Sequence, residues 1–105
     1  MNTLDMASTI SDAETRARKL LEAKNAKYNP GHDRLAHFKE DVENIEEQVN
    51  TLIGYVKKHW LKLRQMSTNV DLYEISEWTE SLDDMVNYMH LLECLLVDSG
   101  EFKDA

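Results

Sequence analysis

Apolar residues return at three- and four-residue steps along most of this chain, the spacing of a helix with one buried face. Ala13, Ala17, Leu20, Leu21 and Lys24 mark a first helix, opened by Ser11 with Glu14 in a capping-box pattern and running to about Lys27. Tyr28-Asn29-Pro30-Gly31 stops it, because proline has no N–H to give and Asn-Pro and Pro-Gly favour turns. Asp33 can cap a short segment with Leu35, Phe38 and Val42 in register. Asn44 with Glu47 opens a second long helix, striped by Ile45, Val49, Leu52, Ile53, Val56, Trp60 and Leu63. Gly54 inside that stripe predicts a close helix–helix approach. A third long helix, capped by Asp71 or Ser76, ends at Ser99-Gly100. Its apolar face is expected to be Trp78, Leu82, Met85, Met89, Leu92 and Leu96, with Leu91 and Leu95 widening it.

The expected architecture is all-α: an antiparallel bundle of three long helices plus a short helix or loop segment, completed by oligomerisation. A single domain spans 1–105, with residues 1–10 a flexible lead-in and 100–105 a frayed tail. The widened third face has no use in a three-helix monomer, which predicts a homodimer or higher homo-oligomer.

Composition narrows the chemistry. With 42% hydrophobic and 8% aromatic residues the chain is not a disordered one. Three glycines and one proline leave little for hairpin turns. A net charge of −8 argues against direct nucleic-acid binding, since phosphate contacts need lysine and arginine. The single Cys94 cannot form an internal disulfide and fits a reducing compartment, and no apolar run is long enough to span a membrane. A cytoplasmic location is expected, the host cytoplasm if the gene belongs to a phage.

Candidate chemistry gathers on the third helix. Between Glu77 and His90 stand Glu80, Asp83 and Asp84 with no lysine or arginine among them. Carboxylates at three- and four-residue spacing share a helical face and suit either a divalent cation, a negative docking surface or a register-fixing salt-bridge network. An antiparallel hairpin brings His59, Lys58 and Lys62 of the second helix opposite this cluster. His32 and His37 lack the neighbours of a zinc site, and Cys94 has no basic group to activate it.

Three segments together resemble a known group. KNAKYNPGHDRLAHFK (Lys24–Lys39), VKKHWLKL (Val56–Leu63) and SEWTESLDDMVNYMHLLECL (Ser76–Leu95) are similar, in the same order, to stretches of small phage proteins of the nucleotide-modification-associated domain type. Those look distantly like the all-α NTP pyrophosphatases, which hydrolyse nucleotides with Mg²⁺ held by Glu and Asp. The chain departs from the pattern where Tyr-Gly becomes Tyr28-Asn29 and the preceding Asp becomes Lys27. Glu43-x-x-Glu46 and Glu80-x-x-Asp83 echo the enzymes' paired acidic motifs, but an antiparallel hairpin sets them about 20 Å or more apart.

The resemblance implies a small phage-type accessory protein that binds or hydrolyses a nucleotide with Mg²⁺ or Mn²⁺. Glu77, Glu80, Asp83 and Asp84 would hold the ion, Asn87 and Tyr88 would orient the ligand, His59 and Lys62 would contact phosphate, and Arg34 would close over it. The competing expectation is an acidic helical inhibitor that binds a host defence protein without catalysis, an anti-CRISPR-like or DNA-mimicking role.

Overall fold

The computed structural model describes residues 1–28, Leu35 and 44–100. Among them are three long helices, α1 (Thr3–Tyr28), α2 (Ile45–Ser67) and α3 (Ile75–Asp98), and a single 3₁₀ turn at Val70–Leu72. The fold is all-α, and the helices pack on one another through α3: α2 and α1 each lie against it. The expected short helix after Asp33, the Pro30 stop and the 100–105 tail beyond Gly100 fall outside the described residues.

Helix α1 begins at Thr3, so most of the expected lead-in is helical. Asn2 supplies the cap: its side-chain oxygen accepts from the Asp5 amide at 2.8 Å, and Asp5 complements the positive helix end. Ser11, read as the cap, lies inside the helix. The first turns escape the periodicity because their apolar side chains are not buried; Leu4, Met6 and Ile10 are all exposed. Helix propensity, uninterrupted by Gly or Pro before Asn29, carries them.

Helix α2 starts as expected, with the Asn44 side chain accepting from the Glu47 amide at 2.8 Å. Leu52 is fully buried, while Ile53 and Trp60 from the expected stripe are largely exposed. The buried band is therefore narrower than the apolar one. Gly54 does not mark a close approach; a side chain built there meets nothing within 4 Å.

Helix α3 is capped by Glu74, not Asp71 or Ser76. Glu74 accepts at its side chain from the third helical residue, and its own amide donates to Glu77 Oε2 at 2.8 Å. Trp78 Nε1 donates to the Val70 carbonyl at 3.3 Å and meets Tyr73 edge-on, tying the connector to the helix start. The helix closes at Ser99 with Gly100 at φ 71°, the left-handed conformation that glycine takes without strain.

The inward face of α3 differs most from the pattern. Ser81, Asp83, Asn87, Leu91 and Leu95 are its buried residues, whereas Leu82 and Met89 point largely to solvent. Leu91 and Leu95, expected to form a surplus flank, are the core itself, joined by Leu52 of α2 and Leu35. Leu21, Val49, Val56, Tyr88 and Leu92 pack around them. Nearer the hairpin turn, Ser81 Oγ donates to Met66 Sδ at 3.6 Å, both side chains being fully buried.

Truncating Leu95 tests this core. Leu95→Ala should cost about 2–5 kcal/mol in urea unfolding, the range for a buried leucine that leaves a cavity. Gly54→Ala should instead stabilise by up to ~1 kcal/mol, as nothing opposes the new methyl and helix propensity improves.

Candidate functional site

The polar residues of α3 divide between two ends. Glu77 and Glu80 lie in the first turns and are exposed, Glu77 being engaged in the helix cap. Asp83, Asp84, Asn87 and Tyr88 lie one to three turns on, beneath or beside α1 and α2.

Asp83 is almost wholly buried and meets the one group that makes this tolerable. Arg16 of α1 grips it with two hydrogen bonds, Nε to Oδ2 at 2.6 Å and Nη2 to Oδ1 at 2.9 Å. A bidentate guanidinium supplies the donors that a desolvated carboxylate has lost. The same hydrogen bond pushes the Arg16 pKa further above its ordinary value. Asn87, also buried, donates from Nδ2 to the Ala17 carbonyl at 2.9 Å. Ala17 is buried too, its small side chain letting α1 sit against α3 there.

Asp84 joins all three helices. Lys24 Nζ of α1 is 2.8 Å from Oδ1, and His59 Nδ1 of α2 is 4.0 Å from Oδ2. The His59 ring lies against Tyr88 with centroids 4.9 Å apart, and Tyr88 in turn stacks on Tyr55 at 5.9 Å with planes 6° apart. Burial lowers the His59 pKa, partly opposed by Asp84 and reinforced by Lys24, Lys62 and Lys58.

The expected meeting of His59 with Asp84 is present, but the cations that hold the acids come from α1. Among the described residues neither Lys58 nor Lys62 forms an ion pair with Asp83 or Asp84. Lys24 stands on the α1 stripe that the spacing marks and Arg16 does not, but nothing local to α1 says which residues of α3 either one faces. Their eight-residue spacing along one helix is too common to be diagnostic.

The expected metal set does not form as a set. Glu77 is in the cap, Glu80 is exposed, and Asp83 and Asp84 are occupied by cationic side chains. Among the described residues no group of three or more His, Cys, Asp or Glu is placed to hold a metal ion. The physical reason is the register of α1, which puts a guanidinium and an ammonium where an ion would need open carboxylates. Arg34, expected to close over a ligand, lies outside the described residues, as do His32, His37 and Glu43.

Lys62 and His59 do line a shared surface feature. With Gly54, Lys57, Lys58, Leu61 and Gln65 they border an open groove of about 630 Å³ along α2. Lys57, Lys58, Lys62 and Arg64 make this a basic stretch of an acidic chain, as Arg16 to Lys27 is on α1. No helix among the described residues is long and apolar enough to cross a membrane.

Two measurements check these contacts. Arg16→Ala, which strands the buried Asp83 carboxylate, should destabilise by about 1–2 kcal/mol in urea titration, less than a fully buried pair because Arg16 is 43% exposed. His59 has a folded pKa below its unfolded value, so stability is complete above about pH 6.5 and falls as pH drops from there through the folded pKa. Melting temperatures between about pH 7.5 and pH 5 should therefore fall less steeply in His59→Gln than in the wild type.

No protein-family model, curated protein or solved structure matches this chain, and the functional reading therefore rests on the residues themselves.

Proposed function

We propose that this protein acts by binding and not by catalysis: an acidic helical protein, working as a homo-oligomer, that docks onto a basic surface of a protein partner. In a phage setting that is the role of an anti-defence inhibitor masking a nuclease groove. One observation carries the reading. The inward carboxylates, Asp83 and Asp84, are already neutralised by Arg16 and Lys24, so they serve the fold. The acids left for other work are exposed and dispersed: Asp5, Asp12 and Glu14 on α1, Glu46 and Glu47 at the start of α2, and Asp71 and Glu80 around the hairpin turn. Dispersed exposed charge steers and orients a partner of opposite sign. It gives a metal no common point.

A second reading, a nucleotide binder using a divalent cation, draws support from the basic groove on α2 and from the resemblance to the phage domain. There Lys62 and His59 would meet phosphate, Asn87 and Tyr88 would serve only through the packing they already make, and Mg²⁺ or Mn²⁺ would need Glu80 with ligands from the nucleotide itself.

The discriminating experiment is incubation with a panel of (d)NTPs and cyclic nucleotides, with Mg²⁺, Mn²⁺ or EDTA, read by chromatography and calorimetry. No turnover and no heat are expected. Metal-dependent turnover abolished by Glu80→Gln or Asp84→Asn would overturn the binding-only reading; binding without turnover would establish the second. In the positive arm, capture of a basic host protein should weaken at least ten-fold between about 0.1 and about 0.5 M NaCl and in the double variant Asp71→Lys, Glu80→Lys.

A further inference from the structure

Helix α3 is apolar on two opposite sides. One side is the core. On the other, Ile75, Leu82, Val86, Met89 and Val97 fall within about 40° of a single line along the helix. Their exposures run from 43% for Val86 and Met89 to 77% for Ile75. In a chain with 20 acidic residues, Glu93 is the one acid on that line. Of the other α3 acids, Glu77 sits in the cap, Glu80 in the first turns, Asp83 and Asp84 under α1, and Asp98 at the C-terminal end. A face cleared of charge in this way is poorly suited to the basic partner proposed above, and well suited to an apolar one.

We infer that this face is the homodimer interface, with two copies of α3 packed antiparallel about a two-fold axis at Val86. The inference rests on the homo-oligomer named above and assigns its surface; it does not depend on the partner of the acidic regions.

Two observations select a second copy as the occupant. The first is area. A compact monomer of 12.2 kDa exposes about 6,100 Å². This chain exposes 8111 Å², and its radius of gyration is 15.9 Å against about 13 Å for a compact chain of that length. The excess, about 2,000 Å², belongs to the chain as a whole, the exposed first turns of α1 included, and is larger than the ~800 Å² that each partner buries in a stable dimer.

The second is the symmetry of the stripe. Residue numbers pair about Val86: Ile75 faces Val97 of the partner subunit, Leu82 faces His90 and Met89 of the partner subunit, and Val86 meets its own copy. An isologous two-fold contact requires this kind of self-complementarity. It also disposes of the one charge. Antiparallel packing sets Glu93 opposite Thr79 of the partner subunit, whereas parallel packing would set it against itself. Beside the stripe runs a groove of about 380 Å³ between α1 and α3, lined by Ala17, Leu21, Val86, Asn87 and His90, with Glu14 and Arg18 of α1 on its far wall. Leu82 of the partner subunit approaches it at the His90 end.

Sedimentation equilibrium on the full chain tests this. A species of twice the 12.2 kDa chain mass is expected at micromolar concentration, persisting at about 1 M NaCl, where docking of acidic surfaces onto a basic partner is screened. Val86→Glu should shift the dimerisation constant at least a hundred-fold towards monomer, with the helical circular dichroism unchanged because Val86 is not in the core. In a Cys94→Ser background, Val86→Cys should form an intermolecular disulfide readily and Glu93→Cys should not. A monomeric wild type at about 100 µM would overturn the inference, as would a dimer indifferent to Val86→Glu. Preferential cross-linking of Glu93→Cys would overturn the antiparallel arrangement. Loss of partner capture with the dimer intact would count against the proposed function alone.

Discussion

The Arg16–Asp83 pair is the contact on which the arrangement of α1 depends. A carboxylate as buried as Asp83 is tolerable only when its lone pairs are filled, and Arg16 fills them from a distance of 67 residues in sequence. One residue along, Ala17 gives the backbone room to approach and receives the Asn87 amide. These polar contacts do for α1 what leucines do for α2. They are directional, so they fix rotation about the helix axis as well as proximity, since a slip of one residue would turn Arg16 by about 100° away from its acid.

This division of labour explains the modest core. Leu35, Leu52, Leu91 and Leu95 form a cluster between α2 and α3, while the seam with α1 is largely polar. Asp84 sits where the two seams meet, touching Lys24 on one side and His59 on the other. Acids that look like ligands in the sequence therefore serve as fasteners. Among the described residues, the charge that remains lies outside.

What the sequence disclosed follows from what is local. The all-α architecture is legible from periodicity, the Asn44 cap and the Gly100 stop, each decided within a few residues. The meeting of His59 with Asp84 was legible from hairpin geometry, because the α2–α3 connection is short. The buried identity of Asp83 and Asn87 was not, because it is conferred by a helix some 70 residues earlier. Averaging hydrophobicity around α3 also failed there. The helix is apolar on two sides and the mean direction falls between them, so the pattern points Leu82 and Met89 inward and leaves Leu91 and Leu95 on a flank.

The sequence separations carry a kinetic meaning as well. The α2–α3 hairpin closes through a connector of seven residues, and its contacts, such as Met66 with Ser81, bridge 15 positions. The contacts of α1 with α3 bridge 60 to 70. Loop-closure entropy rises with that separation, which makes the hairpin the cheaper structure to nucleate. Helix α1 then docks onto a finished surface through charged groups. On a ribosome the order of synthesis is the reverse: α1 emerges first and waits, helical only by its own propensity, until Asp83 and Asn87 are made.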